Sequence, residues 1–207
     1  MPYQTNESLW GPEHQIFRET VRKFIENEVD PHVDEWVENH DTPREFWLKA
    51  AKAGILGVDI PEEYGGPGGD FLFRLVIAEE IGYSIAGASM APSLIADGTS
   101  EIVYRSANEE QRQKYLPPMV RGEMLFGLAI TEPDSGSDVS SIRTTAKRDG
   151  DEYVINGAKT YISQASIADA FMVVARTSDV PGAKGLSMII VEADRPGVGM
   201  VDTGEDF

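Results

Sequence analysis

Cysteine is absent from this chain of 207 residues, and basic residues are scarce in it. The lack of cysteine excludes disulfides, zinc–thiolate sites, iron–sulfur clusters and thiol nucleophiles. Lys and Arg number 18 against 35 Asp and Glu, which gives a net charge of −17. Such a charge disfavours nucleic acid and an anionic membrane surface as partners. Any anionic ligand would have to be held by local hydrogen-bond donors.

Long apolar runs and clustered metal ligands are also missing from the sequence. No apolar run approaches the roughly 20 residues that span a bilayer, and the first residues lack the basic, apolar pattern of a signal peptide. We therefore expect a cytoplasmic protein with no membrane partner. His14, His32 and His40 fall in a short, polar N-terminal region, which is more typical of helix surfaces than of a metal site.

The first part of the sequence has helical patterning. Apolar residues recur at helical spacing through 13–29 and again through 71–84, and Pro31 interrupts the first of these runs. Ser106 to Glu109 forms a capping pattern, and Pro117 and Pro118 predict the end of the helix that follows it. These signals predict an all-helical domain over residues 1–121.

The patterning changes near residue 122 to that of β-strands. β-Branched and aromatic residues alternate through 143–163, with turn pairs at Asp149-Gly150 and Asn156-Gly157. Two further apolar strands follow at 170–177 and 186–193. We predict an α+β protein in which the helical domain precedes an antiparallel β-barrel-like domain over residues 122–207.

The loop "LAITEPDSGSD", residues 128–138, concentrates acidic and hydroxyl side chains behind a short apolar strand. By itself it has two interpretations: Thr131 and Ser137 cap turns, or they donate hydrogen bonds to a ligand. Glu132, Asp134 and Asp138 are expected to stabilise the loop or face water rather than act in catalysis.

The motifs T-E-P-x-x-G-S-D, here from Thr131 to Asp138, and G-D-x-Y-x-x-N-G-x-K, here from Gly150 to Lys159, resemble the acyl-CoA dehydrogenases. The segments "PEEYGGPGG" and "EEQRQKYLPPMVRGE" resemble the helical domain of that family in the same order. Together they cover nearly the whole chain. The resemblance implies FAD as the cofactor, an acyl-CoA as the substrate and α,β-dehydrogenation of its thioester as the reaction.

The resemblance also implies roles for particular residues. The backbone of Leu128, Ala129 and Ile130 and the Thr131 hydroxyl would bond the polar edge of the flavin. Ser137, after Gly136, would donate near the FAD pyrophosphate and face CoA. On the next strand, Tyr161 would cover one face of the ring, Ile162 would follow it, and Ser163 would bond the hydride-accepting nitrogen. Lys184 lies in a loop that the family brings near CoA; it either pairs with a phosphate or is an exposed lysine.

The tripeptide Tyr161-Ile162-Ser163 replaces the common Trp-Ile-Thr of the family, and Gln-Ala follows in place of Asn-Gly. Aromatic cover and a hydroxyl survive these replacements. Long-chain members show a similar aromatic-Ile-Ser, which favours that branch. Tyr161 could equally be an ordinary core aromatic.

In the family, the catalytic base is a glutamate of a third, four-helix domain that follows the β domain and supplies tetramer contacts. We therefore expect the 207 residues to be truncated before that domain, to bind FAD weakly and to show no turnover alone. Glu62, Glu79, Glu80 and Glu123 occupy places that the family does not use for the base. The full-length protein is expected to be a homo-oligomer that passes electrons to an electron-transferring flavoprotein.

Two alternatives stay open from the sequence. An acyl-CoA oxidase shares the flavin loop and passes its electrons to oxygen. A non-catalytic partner subunit would keep the fold and lend surface to an active chain. Flavin monooxygenases on the same scaffold depart further from T-E-P-x-x-G-S-D and rank lower.

Overall fold

The computed structural model of the protein describes residues 9–39, 42–85 and 98–201. The chain divides into two compact units, one ending at Met124 and the other beginning at Leu125. Helices occupy the first unit and strands the second. The predicted order of a helical domain followed by a β domain is therefore confirmed.

The helical unit has its elements close to where the apolar spacing places them. Its described helices are α1 (Pro12–Glu28), α2 (Val33–Glu38), α3 (Arg44–Lys52), α4 (Phe71–Tyr83), α5 (Gly98–Ser106) and α6 (Glu109–Val120). Short 3₁₀ turns at Asp30–His32 and Glu62–Tyr64 connect some of them. No helix among the described residues is long and apolar enough to cross a membrane.

Helices α1 and α4 are joined by ion pairs around the buried carboxylate of Glu80. Arg22 Nε lies 2.8 Å from Glu80 Oε2, and Arg18 Nη1 lies 3.0 Å from Glu80 Oε1. Burial raises the pKa of Glu80, but the hydrogen bonds from these two arginines outweigh it, and the pKa is lowered overall. Arg18 also bonds Glu79 at 2.7 Å. Both glutamates therefore hold α1 against α4, and the lowered pKa keeps Glu80 ionised.

Both ends of α6 differ from the predicted ends. Ser106 is the last residue of α5, and the cap is Asn108, whose side chain accepts from the Gln111 N–H while Gln111 bonds back to the Asn108 N–H. The helix also continues through Pro117 and Pro118 to Val120. The last turn persists because Leu116 and Met119 are buried, and because the two proline carbonyls accept hydrogen bonds from residues downstream.

The described part of the β unit forms a five-stranded sheet of mixed direction. Its strands are β1 (Phe126–Ala129), β2 (Thr145–Asp149), β3 (Glu152–Asn156), β4 (Ala170–Arg176) and β5 (Leu186–Glu192). β2–β3 and β4–β5 pair antiparallel, as predicted, but β4 also pairs in parallel with β1 and, at Thr145, with β2. Parallel pairing arises because β1 reaches β4 only after the long excursion through 130–169.

The two predicted turn pairs behave differently. Asp149 pairs with Glu152 across a tight turn, in which Gly150 takes a left-handed φ of 61°. Asn156 ends β3, and the chain then continues without turning back into another strand of the hairpin. Gly157 lies so close to Thr144 that an added Cβ would stand 2.2 Å from its hydroxyl. This glycine is therefore required by close packing rather than by a hairpin turn.

The histidines have structural surroundings where the structure describes them. The buried His14 accepts the Gly11 N–H at 2.9 Å and lies 3.1 Å from Asp70. His32 stacks on Trp36, and His40 lies outside the described residues. The described part of the chain contains no group of three or more His, Cys, Asp or Glu that could hold a metal ion.

Candidate functional site

The loop that follows β1 is organised around the buried carboxylate of Glu132. Its Oε2 accepts the Arg143 N–H at 2.7 Å, and its Oε1 accepts the Thr144 N–H at 2.9 Å and Lys159 Nζ at 2.9 Å. Glu132 and Ser135 also exchange two backbone hydrogen bonds, which close the loop on itself. The expectation that Glu132 stabilises the loop agrees with these contacts.

The same contacts determine the charge state of Glu132. Burial raises the pKa of this carboxyl, but hydrogen bonds from Arg143, Lys159 and Thr144 outweigh burial and lower the pKa to about 2. Glu132 therefore remains ionised and paired at neutral pH. A carboxylate that is paired in this way is a poor general base.

The segment after β3 returns to the loop at Thr131. Thr160 donates its N–H to the Thr131 carbonyl at 2.9 Å. Tyr161, the next residue, therefore lies close to the loop 128–138. The sequence pattern placed Tyr161 on a strand, but the residue lies in an irregular segment. Its φ of 59° is left-handed, a conformation that costs a residue with a Cβ about 1–2 kcal/mol.

The three side chains of the tripeptide 161–163 differ in how far they are exposed. Tyr161 is 67% exposed, so it is not the core aromatic that the sequence left open. Ile162 packs against the buried cluster of Ala129, Phe171 and their neighbours. Ser163 is exposed. The arrangement anchors the segment through Ile162 and presents an aromatic ring and a hydroxyl outside the core.

Three side-chain hydroxyls of the predicted site have no hydrogen-bond partner within the part of the chain that the structure describes: those of Thr131, Ser137 and Ser163. The backbone N–H of Thr131 is likewise unpaired there. Gly136 faces open space, since an added Cβ would meet nothing within 4 Å. Its φ is not left-handed, so the backbone itself does not require glycine, whereas close approach of a ligand would.

Arg176, at the end of β4, joins the turn that follows Ser137 to the turn that carries Lys184. One Arg176 amino group donates to the carbonyls of Ser140 and Ile142 at 3.0 and 3.1 Å. The other donates to the carbonyls of Val180 and Gly182, both at 3.3 Å. The turn Val139–Ser141, after Ser137, therefore lies against the turn Gly182–Gly185, which carries the exposed Lys184. Lys184 makes no ion pair with the described residues.

The other acidic residues of the region are held by local contacts. Asp138 accepts hydrogen bonds from the hydroxyls of Ser140 and Ser141, which lower the pKa of its carboxyl. Asp134 forms a 3.1 Å pair with Arg143, and both side chains are mostly exposed. In the helical unit, Glu123 pairs with Arg121 at the surface. The placement of Asp134 and Asp138 agrees with the expectation that they stabilise the loop or face water.

Sequence reasoning did not assign roles to Lys159 and Arg176. Lys159 is the last residue of the quoted G-D-x-Y-x-x-N-G-x-K motif, and its position before the aromatic tripeptide was the available signal. Arg176 is the last residue of an apolar strand, and a single basic residue at that position does not indicate a role from the sequence pattern. Its role depends on two loops that meet only in the folded chain.

Comparison with known proteins extends the resemblance over most of the chain. Residues 11–123 match the acyl-CoA dehydrogenase N-terminal domain, and residues 127–206 match the acyl-CoA dehydrogenase middle domain. The long-chain specific acyl-CoA dehydrogenase of Mus musculus mitochondria is 40% identical over 187 residues, which cover 89% of this chain and 43% of that protein.

Solved structures also match the fold of this chain. An acyl-CoA dehydrogenase from Geobacillus kaustophilus matches with a TM-score of 0.85 and 38% identity, over 91% of this chain and 50% of that one. A glutaryl-CoA dehydrogenase from Mycobacterium smegmatis in complex with FADH2 matches with a TM-score of 0.81 and 29% identity, over 93% and 48%. The chain spans about half the length of the curated relatives that it matches. It belongs to the acyl-CoA dehydrogenase family.

Proposed function

We propose that the β unit binds FAD between the loop 128–138 and the segment 161–163. In this arrangement the backbone of Leu128, Ala129 and Ile130 and the donors of Thr131 face the polar edge of the flavin, and Gly136 and Ser137 face the pyrophosphate. Tyr161 covers one face of the ring, Ile162 anchors that segment and Ser163 bonds the ring nitrogen. The observation that carries the proposal is the set of unpaired neutral donors on Thr131, Ser137 and Ser163.

Neutral donors suit this ligand for a physical reason. The flavin ring is uncharged when oxidised and gains negative charge on reduction, so donors aimed at its carbonyl edge stabilise the reduced state more strongly. They also hold an anionic pyrophosphate on a chain of net charge −17 without a cluster of cations. When bound, FAD supplies the acceptor for the hydride that leaves the substrate.

The proposed reaction is α,β-dehydrogenation of an acyl-CoA thioester. Lys184 lies on one of two turns that Arg176 ties together, and Ser137 lies two residues before the other; we assign both residues to the CoA moiety. An exposed lysine without an ion partner among the described residues is suited to a phosphate of CoA.

The proton that leaves the α carbon needs a carboxylate base within hydrogen-bond reach. Glu132 is paired and has a pKa of about 2, and Glu80 is held by two arginines. We therefore propose that the base lies outside these contacts, and that the 207 residues alone do not turn over acyl-CoA. Turnover by the purified chain, assayed with a series of acyl-CoAs and an electron-accepting dye, would contradict this part of the proposal.

The remaining parts of the proposal come from the family. They are fatty-acid breakdown as the pathway, an electron-transferring flavoprotein as the acceptor and a homo-oligomeric assembly. A cytoplasmic location is a separate proposal, made from the sequence and not from the family. An oxidase would produce hydrogen peroxide in place of dye reduction when acyl-CoA is supplied. A non-catalytic partner would be isolated colourless together with a longer chain, whereas a yellow protein with flavin absorption bands counts against that role.

Titration of FAD with the purified chain tests the binding site. We expect saturable quenching of FAD fluorescence, with affinity about tenfold weaker for Thr131→Val, because one donor to the ring is lost. The matched control is Thr177→Val, whose hydroxyl already bonds the Ser187 hydroxyl at 2.7 Å, and its affinity should equal that of the wild type. No quenching by the wild-type chain, or equal affinities for both variants, would overturn the site.

A further inference from the structure

Lys159 is a buried lysine whose ammonium makes two contacts of different kinds. It lies 2.9 Å from the Glu132 carboxylate, and it donates to the Ile130 carbonyl at 2.8 Å. The side chains of Lys159 and Glu132 are 10% and 6% exposed. The ion pair with Glu132 neutralises the charge of Lys159. That pairing does not explain the second hydrogen bond of Lys159, which goes to the Ile130 carbonyl in the proposed flavin loop.

The contact with Ile130 acts on the donor of the next residue. The described peptides are not cis, and in a planar trans peptide the carbonyl and the following N–H point in opposite directions. Lys159 therefore holds the Ile130 carbonyl on its own side and directs the Thr131 N–H to the other side, where it has no partner among the described residues. A cation on the carbonyl also polarises the peptide and strengthens that N–H as a donor.

A second contact fixes the next peptide of the loop. The Thr131 carbonyl accepts the Thr160 N–H at 2.9 Å, one residue beyond Lys159. Residues 159 and 160 thus hold two successive carbonyls of the loop. This is a rigid arrangement for an outward-facing N–H, and it is built by the segment that also carries Tyr161.

We propose that Lys159 is a positioning residue that orients and strengthens the Thr131 N–H as a donor to the flavin, with Glu132 as its counter-ion. The inference rests on the proposed FAD site and assigns a role to residues that do not touch the cofactor. A donor strengthened in this way favours the reduced ring, which carries more negative charge. Loss of Lys159 should therefore lower the reduction potential of bound FAD as well as its affinity.

The test compares four variants of the chain loaded with FAD. Lys159→Met removes the cation, and Lys159→Arg keeps it. The double variant Glu132→Gln/Lys159→Met removes both buried charges, so that folding does not suffer from an unpaired carboxylate. Lys147→Met, at an exposed position on β2, is the control for loss of a lysine. Each is measured for FAD affinity, for the reduction potential against reference dyes, and for stability in urea.

We expect Lys159→Met to bind reduced FAD about tenfold less well relative to oxidised FAD, a change of about 30 mV for a two-electron couple. Lys159→Arg should recover most of that change, and Lys147→Met should show none. The double variant should regain stability while keeping the lowered potential. If the double variant recovered the wild-type reduction potential together with its stability, the inference would be overturned. The role of Lys159 would then be structural.

The two proposals fail in different ways in this experiment. A wild-type chain that binds no FAD overturns the proposed site and, with it, the role of Lys159. A wild-type chain that binds FAD, with equal potentials for Lys159→Met and Lys147→Met, overturns only the role of Lys159.

Discussion

Replacement of Glu132 by glutamine should make the β unit less stable by an amount that depends on pH. The pKa of Glu132 is lowered from its ordinary value of 4.5 to about 2. Because the folded pKa lies below the unfolded one, the unfolded chain binds more protons between these values. The stabilisation is therefore fully present above about pH 5 and is lost as the pH falls toward 2.

The size of the effect follows from the pKa difference. Each pKa unit corresponds to 1.36 kcal/mol, so the ionised carboxylate contributes about 3 kcal/mol at pH 7. Glutamine also leaves the Lys159 ammonium without its counter-ion, which makes a loss of about 3–5 kcal/mol reasonable for a broken buried pair. The difference between wild type and Glu132→Gln should shrink by about 2 kcal/mol between pH 7 and pH 3.

The assay needs a probe that lies within the β unit, because all three tryptophans precede residue 50. Met172 on β4 is 2% exposed, and its oxidation by hydrogen peroxide across a urea series reports unfolding of that unit. Met119, 4% exposed in α6, reports the helical unit in the same sample. We expect Glu132→Gln to move the urea midpoint of Met172 and to leave that of Met119 in place.

The matched control is Asp134→Asn in the same loop. Asp134 and Arg143 form a pair at 3.1 Å with side chains that are 70% and 78% exposed. Such a pair contributes about 0–1 kcal/mol, so the Met172 midpoint should hardly move. A Glu132→Gln effect that does not change with pH, or that is no larger than the Asp134→Asn effect, would refute the reasoning.

Three further substitutions have expected outcomes. Gly136→Val should leave the Met172 urea midpoint unchanged, because its Cβ would meet nothing within 4 Å. It should weaken FAD binding at least about tenfold, because the new side chain blocks close approach of the ligand to the backbone. An FAD affinity equal to that of the wild type would contradict this. Gly127→Ala should destabilise the β unit by about 1–3 kcal/mol, because the new Cβ would lie 2.8 Å from Phe171 Cδ1, and an unchanged midpoint would show that the core relaxes freely. Arg176→Met should increase amide exchange in residues 138–142 and 178–185 together, since one guanidinium bonds both loops, and loss of protection in only one loop would contradict the shared anchor.

Local patterns in the sequence predicted most elements of the fold. Strands β4 and β5 lie almost where the apolar runs place them, and Gly150 takes the left-handed conformation that its turn pair predicts. These features depend on neighbouring residues, so the sequence contains the information. The cap of α6 was wrong by two residues, because Ser106 and Asn108 are both good caps and packing decides between them.

Features that depend on distant residues could not be predicted in the same way. The parallel pairing of β1 with β4 joins residues more than 40 positions apart, and no local pattern encodes direction. The left-handed φ of Tyr161 is imposed on a residue type that does not favour it. The motifs indicated where the site lies, but the Lys159 contact with Ile130 required the folded chain.

The most direct test of the FAD site is a crystal structure of the chain grown with FAD. We predict flavin density with its polar edge on the backbone of residues 128–131, Tyr161 against one face of the ring and the Ser163 hydroxyl at the ring nitrogen. The Thr131 N–H should then have an acceptor on the flavin. Flavin bound elsewhere on the chain, or a loop 128–138 that remains empty at saturating FAD, would contradict the account.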